Sequence, residues 1–362
     1  MGRMLADAAV SFDARLSVMD DDPLCPCREV CRDLTQGNPL NYDDVYTFGK
    51  SVDVLTLEYE HVNAQALKQL EADGVAVHPS AAVIELVQDK GRQKEFYRAS
   101  GIPTADFVLA ANAAEIRAHK GFLPAVQKTR QAGYDGKGIH KIACAGDMDD
   151  AFDEPSVLER LVDLDKEIAV IVARNTKGET AVYPTVEMMF HPKRNLVEFL
   201  LCPAGLPAPV ERAAKEIALT LVEKLKVVGV LAVEMFVTKD GKVLVNEIAP
   251  RVHNSGHHTI EANVTSQFQQ HLRAVLGLPL GPTQTIMPSV MVNILGEPGS
   301  EGKARYEGVE AALALGNVHV HLYGKQITKA YRKMGHATVL DKDLDTALAK
   351  ARRVKEMIKV RS

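Results

Sequence analysis

At 362 residues the chain exceeds what one hydrophobic core usually serves, and its length suggests two or three domains. A hydrophobic share of 46% and a charged share of 25% are those of an ordinary globular protein, and a net charge of −4 gives no basis for a nucleic-acid partner. No apolar run approaches the roughly 18 to 20 uncharged residues of a membrane span, and Arg3, Asp7 and Asp13 make the first segment too polar for a signal peptide, so the sequence predicts a soluble, cytoplasmic protein without a membrane partner.

The chain opens on Met1-Gly2-Arg3-Met4 and passes at once into a helical segment, without the strand that an α/β pattern would place first. Short apolar runs at Leu16 to Met19, Val52 to Thr56 and Val75 to Val77 alternate with helical stretches, which predicts a parallel, doubly wound, Rossmann-like sheet over residues 1–80. Of the five cysteines, Cys25, Cys27 and Cys31 cluster, either as metal ligands or as small buried side chains near a strand-to-helix turn; the odd count and absent export signal predict no disulfides. One helix is expected from about Ser80 to Gly101-Ile102-Pro103. Ala125 to Lys128 and Ile139 to Ala143 read as a hairpin whose glycine-rich tip, Gly133-Tyr134-Asp135-Gly136-Lys137-Gly138, suits either a phosphate-covering lid or a plain surface turn. A strand pair follows about Lys177-Gly178, then an amphipathic helix over 211–226 with Ile217, Leu221 and Leu225 on one stripe. Past Gly281-Pro282, three short β segments and a basic terminal helix predict a third, smaller β-rich domain over 281–362, leaving 81–280 as the central domain.

The segment most informative about chemistry is Val230 to Glu247. Two strand-like runs meet at Lys239-Asp240-Gly241-Lys242; if Asp240 and Gly241 form a two-residue turn, Lys239 faces Lys242 and Glu234 falls opposite Glu247. Directly opposed like charges destabilise a sheet. A divalent cation would offset the repulsion, because magnesium takes one or two carboxylates together with substrate phosphates. The alternatives are a shared proton or a register that leaves both carboxylates solvated. Directly after this pair comes Ala249-Pro250-Arg251-Val252-His253-Asn254-Ser255-Gly256-His257-His258, a polar loop whose guanidinium suits an oxyanion.

Lys128, the loop from Gly133 to Gly138, the strand bearing Glu234, and the run Asn246 to His257 together resemble the 5-(carboxyamino)imidazole ribonucleotide synthase family of ATP-grasp ligases, over nearly the whole chain. The resemblance implies an ATP-grasp architecture and ATP-dependent carboxylation of 5-aminoimidazole ribonucleotide by bicarbonate in purine synthesis. It implies that Lys90, Lys128, Gly133, Tyr134, Asp135, Gly136, Lys137, Gly138, Ile139, Glu159, Glu167 and His191 contact ATP, and that Glu234 and Glu247 hold magnesium with help from Asn246. Arg251, His253 and Asn254 would lie where bicarbonate is activated. Tyr134, Asp135 and Lys137 would touch the ribonucleotide, joined by Lys325, also a catalytic candidate, and by Arg332 on its 5′-phosphate. Lys90 and Lys137 stand where the family often has arginine, which keeps the charge and loses the fork. The resemblance also implies a homodimer, with the product passed to a separate mutase because no mutase domain follows Ser362. Relatives place a strand and a Gly-Gly-Gly-Gln-Leu-Gly turn before Arg-Met; their absence here is expected to weaken the ribonucleotide site and leave an apolar slot, and a start placed too late in the gene is the favoured explanation. The rival readings are an ATP-grasp ligase with another amine acceptor and a truncated nucleotide-binding protein with little turnover.

Overall fold

The computed structural model of the protein describes residues 1–131, 138–191 and 196–362. The first described element is the helix Gly2–Val10. Two parallel strand pairs follow, Ser17–Asp20 with Asp33–Gln36 and Val54–Thr56 with Ala76–His78, as the alternating pattern predicts. These pairs are separate sheets, and Val18, Val45, Phe48, Leu55 and Leu57 line a large cleft. Cys25 and Cys27 are buried around the short turn Pro26–Glu29, and Cys31 is half-buried.

The single helix expected from Ser80 to Gly101 is instead two, Ala81–Val87 and Lys90–Ser100. Asp89 makes the break. Its carboxylate accepts from the N–H groups of Gly91 (2.8 Å) and Arg92 (3.1 Å), capping the second helix, and holds Arg130 at 2.7 Å. Lys90 thereby becomes the first residue of a helix, aimed at the cleft rather than carried along a helix side.

A four-stranded antiparallel sheet, ordered Phe107–Ala110, Ser156–Arg160, Ala125–Thr129, Ile139–Ile142, forms one wall of the central part. The expected hairpin is there, with Ala125 opposite Ile142 and Lys128 opposite Ile139; Gly133, Tyr134, Asp135, Gly136 and Lys137 at its tip lie outside the described residues. The other wall is a nine-stranded sheet. Its path runs Val243–Ala249, Gly229–Thr238, Leu164–Arg174, Val186–Phe190, Val197–Cys202, Ser289–Leu295, Lys333–Leu340, Val318–Leu322, with Thr180–Val182 beside Leu164–Arg174. Three C-terminal strands therefore extend the central sheet, joined through Phe199 opposite Val292, while Glu301–Lys303 with Ile327–Lys329 and Arg305–Glu307 with Lys359–Arg361 form two separate ribbons. Their separate identity lies in a second core, where Ala347, Ala351 and Val354 of the helix Leu344–Met357 pack on Val290, Val292, Ala337 and Val339.

Strand alternation decides which face of the nine-stranded sheet holds chemistry. Val233, Met235 and Val237 turn to the helix Ala208–Leu225 and meet its Ala214, Ala218, Leu221 and Val222. Ala232 and Val230 turn the other way, toward Phe268 and Leu272 of the helix Gln267–Val275 and toward Met4, Leu5 and Ala8 of the first helix. Glu234 shares that second face, which borders a cleft of about 1280 Å³.

Candidate active site

The hairpin carrying Glu234 and Glu247 sets their positions by two deviations that cancel. The turn is three residues long, Lys239-Asp240-Gly241, closed by the Thr238 N–H donating to the Lys242 carbonyl at 2.9 Å, with Gly241 at φ +79°. It replaces the expected two-residue turn and shifts the register by one, so Met235 pairs with Val245. A bulge at Asn246 then restores the count, and Glu234 does lie opposite Glu247. Without that bulge Glu247 would share the face of Val243 and Val245 and enter the helix-covered core. The bulge also turns Asn246 into the cleft beside it.

Cations from three elements converge on this pair. Lys90 Nζ is 2.7 Å from Glu247 Oε2; Lys128 Nζ donates to Asn246 Oδ1 at 2.8 Å and lies 3.2 Å from Glu159. Lys94, one turn beyond Lys90 and on the same helix face, is 3.2 Å from Glu159 and donates to the Thr104 hydroxyl at 2.6 Å. Lys90, Lys94, Lys128, Glu159, Asn246 and Glu247 surround one small pocket. Lys94 is absent from the sequence-derived set, and only its i, i+4 spacing from Lys90 signals it. Burial pulls its pKa down to about 8, while Glu159, opposed by burial, is held below the usual carboxylate range by Lys128 and Lys94.

The two opposed glutamates sit in unlike surroundings. Burial, then Glu247 and Glu167, raise Glu234. Lys90 above all lowers Glu247, whose side chain is 45% exposed to the cleft although protein atoms crowd round it. Glu167, on the cleft wall, is pushed up to about 7, first by burial. Three carboxylates thus crowd one wall of the cleft, under the influence of Lys90, Lys128 and Lys333. Two hard oxygen donors with room for phosphates suit a divalent cation, and Glu234 and Glu247 are the residues that could hold one.

The polar loop behind the acidic strand resolves into different roles. His253 Nδ1 accepts from the Ser255 N–H at 3.3 Å, which leaves the ring hydrogen on Nε2, 3.4 Å from Glu234 Oε1. Burial, then Arg251, depress its pKa to about 3, so the ring is neutral. Gln267 brackets the His253 backbone, accepting from its N–H at 2.9 Å and donating to its carbonyl at 2.7 Å. Gly256 is needed beneath it, because a Cβ there would collide with Ile171 and Gln267. Arg251 Nε lies 2.7 Å from Glu60 Oε1, a partner that the sequence reading missed. Asn254 lines the cleft at the start of the short turn Asn254–Gly256. His257 and His258 are structural: His257 stacks on Phe268 and on His336, 4.6 Å away, and His258 is buried.

Lys325 and Arg332 line the same cleft; Lys325 Nζ donates to the Lys333 carbonyl at 2.9 Å and Arg332 Nη1 to the Ile327 carbonyl at 2.6 Å. Ile139 lines the cleft from the hairpin of Ala125–Thr129 and Ile139–Ile142, and Gly138 accepts from the Thr129 N–H at 2.9 Å. His191 ends the strand Val186–Phe190, and although Phe190 and Leu196 line the cleft, His191 does not.

Against known proteins, residues 1–88 match the ribonucleotide synthetase preATP-grasp domain, residues 95–268 the ATP-grasp domain, and residues 289–350 the phosphoribosylaminoimidazole carboxylase C-terminal domain. The chain is 34% identical over 351 residues to the N5-carboxyaminoimidazole ribonucleotide synthase of Bacillus subtilis, covering 95% of this chain and 90% of that one. It is 35% identical to the chloroplastic phosphoribosylaminoimidazole carboxylase of Vigna aconitifolia but spans only 63% of that protein's length. The crystal structure of N5-carboxyaminoimidazole ribonucleotide synthetase from Thermotoga maritima superposes with a TM-score of 0.92 at 42% identity, covering 100% of this chain and 96% of that one. The Aspergillus clavatus synthase in complex with ADP and 5-aminoimidazole ribonucleotide superposes with a TM-score of 0.88 at 31% identity, covering 98% and 95%. The chain belongs to the N5-carboxyaminoimidazole ribonucleotide synthase family of ATP-grasp ligases.

Proposed function

We propose that the cleft carries out ATP-dependent carboxylation of the exocyclic amine of 5-aminoimidazole ribonucleotide, giving the N5-carboxyamino product, ADP and phosphate, in purine biosynthesis. The observation that carries this reading is the Glu234–Glu247 pair, flanked by Lys90 and Lys128 and backed by the Arg251–His253 loop. Phosphoryl transfer asks a protein for positioning and charge neutralisation more than for covalent help. Lys90 and Lys128 supply mobile positive charge for the phosphates of ATP, and Lys94 keeps Glu159 from competing for Lys128. Glu234 and Glu247 would hold magnesium, which when bound neutralises charge between the terminal phosphates and their acceptor. A bicarbonate oxygen attacks the γ-phosphorus and ADP leaves, forming carboxyphosphate. The amine nitrogen then attacks the carboxyl carbon, the bond to phosphate breaks, and the nitrogen loses a proton. Arg251, tethered by Glu60, presents its guanidinium to the carboxyl and phosphate oxygens. Neutral His253 donates Nε2–H toward Glu234 and so orients that carboxylate without adding charge.

ADP release, followed with and without the ribonucleotide and with and without bicarbonate, tests this. Turnover is expected only with both present; release that ignores the ribonucleotide but answers to another amine would overturn the acceptor assignment. The same reading makes the chain a cytoplasmic homodimer that passes its product to a separate mutase, supported by the family relationship and tested by sedimentation and by product consumption with added mutase. Boundaries near residues 80 and 280, supported by the Gly281-Pro282 link, would show as the first sites of limited proteolysis.

A further inference from the structure

His271 joins the N-terminal strand Val54–Thr56 to the strand that carries Glu234. It lies on the helix Gln267–Val275, fully buried, with each ring nitrogen engaged by a different partner. Its Nδ1 accepts from the Val230 N–H at 3.2 Å, which puts the ring hydrogen on Nε2, and Nε2 donates to the Thr56 hydroxyl at 2.8 Å. The strand Val243–Ala249 stops opposite Ala232, so the imidazole takes up a backbone donor that lies just past that strand's end. Gly229, at φ +114°, makes room for the ring: a Cβ there would stand 2.8 Å from Cε1 and 2.9 Å from Nδ1.

Packing alone does not ask for this arrangement, since an apolar side chain would fill a buried place on the helix without the cost of desolvating an imidazole. What histidine adds is a polar link with two ends. Four residues beyond Thr56, Glu60 makes a second link by holding Arg251 Nε at 2.7 Å. Gln88 fixes the backbone at that point, donating to the carbonyls of Glu60 at 2.9 Å and Val62 at 2.8 Å. Residues 56–60 are therefore pinned at both ends to the hairpin that carries Glu234 and to the loop that follows it, and Leu57, Glu58 and Tyr59 between the pins line the cleft. We propose that His271 is a positioning residue: by holding Thr56 to Val230 it sets where residues 56–60 lie, and through Glu60 where Arg251 stands relative to Glu234. It does this without touching substrate. A misplacement of about 1 Å at reacting groups can cost about a hundredfold in rate, so a hydrogen bond remote from the chemistry gains a kinetic effect. The assignment rests on the carboxylation reading above.

Thr56→Val keeps the shape of the side chain and the bond between Val230 and His271 but loses the acceptor, whereas Thr56→Ser keeps all three. In ADP release with the ribonucleotide and bicarbonate, Thr56→Val is expected to lower kcat about tenfold with KM for ATP unchanged, and Thr56→Ser to stay within about twofold of wild type. His271→Leu should lower kcat at least as far, and adding Thr56→Val to it should lower kcat no further, because both changes break one link. An unchanged kcat in Thr56→Val, or an equal loss in Thr56→Ser, would overturn the proposal. Additive losses in the double variant would overturn it too, by showing that Thr56 meets the substrate itself. Amide hydrogen exchange separates the link from the reaction. Without substrates, Thr56→Val should exchange about tenfold faster than wild type over residues 57–62 and at the same rate elsewhere. If it does so while wild-type turnover ignores the ribonucleotide, the link stands and the carboxylation reading falls. Exchange over residues 57–62 as slow as in wild type would sink the positioning role.

Discussion

Glu234→Gln should make the metal-free protein more stable while abolishing turnover. Glu234 and Glu247 are directly opposed across the hairpin, a placement that brings Cβ atoms to about 5 Å. Two full charges at that distance repel by about 3 kcal/mol at an effective dielectric constant near 20. Glu247 is 45% exposed and ion-paired to Lys90, so screening reduces the repulsion to roughly 1–2 kcal/mol. Glutamine has the shape of the protonated acid and removes the repulsion.

The sign of the pH dependence follows from the direction of the Glu234 shift. Its folded pKa lies above the unfolded value, so between the two the folded protein binds the extra proton, and stability falls as pH rises through that window. The glutamine variant lacks this loss. Urea unfolding in a chelator should therefore show it ahead of wild type by about 1–2 kcal/mol near pH 9 and by little near pH 5, at the same m-value. Adding magnesium and ATP reverses the order, because a ligand at a hundredfold excess over its Kd stabilises by about 2.7 kcal/mol and only wild type keeps both metal carboxylates. A variant less stable than wild type at both pH values in the chelator would refute the reasoning, since the pair would then not be in conflict in the empty site.

Acid should unfold this protein through buried neutral rings. His258 and His271 are held down to about 4, chiefly by burial; unfolded, they protonate near 6.5, so the unfolded state binds more protons and stability drops by roughly 3 kcal/mol per ring as pH falls from about 6.5 toward 4. His271→Asn should flatten part of that slope in urea midpoints measured against pH. Lys94→Met leaves buried Glu159 with Lys128 alone, drawing Lys128 from Asn246; a loss of about 2–4 kcal/mol and a raised KM for ATP are expected, with Lys94→Met/Glu159→Gln regaining the stability but not the ATP affinity.

The acidic pair was legible in the sequence because opposed glutamates in an apolar hairpin ask for an explanation. The register was reached by an incomplete route. Asp240-Gly241 signals a turn but not its length, and one residue added to the turn reverses the facing of every side chain after it. What saves the pairing is the bulge at Asn246, and no local propensity announces a bulge at an asparagine between valine and glutamate. Its cause is tertiary: Lys128, from another sheet, holds Asn246 Oδ1. Residues that act through distant partners were the ones missed. Glu60 matters only because Arg251 lies beside it, and Asp89 breaks a helix that its own sequence would continue because Arg130 stands ready to pair with it.

The C-terminal part illustrates the same limit at larger scale. Three of its strands and its terminal helix were legible from local pattern, since each depends on neighbours in the chain, whereas the four short strands Glu301–Lys303, Arg305–Glu307, Ile327–Lys329 and Lys359–Arg361 were not. That its sheet would be continuous with the central one was not, because the joint is a single strand pairing, Phe199 to Cys202 against Ser289 to Val292, between segments that are both apolar and equally suited to an edge. The consequence is functional. Lys325 and Arg332 lie on connections of this sheet's far end while Glu234 and Glu247 lie on strands near its other end, so one continuous sheet fixes the distance between these two cations and the acidic pair. A hinged third domain would leave that distance free; a shared sheet makes the length of the cleft a property of the fold.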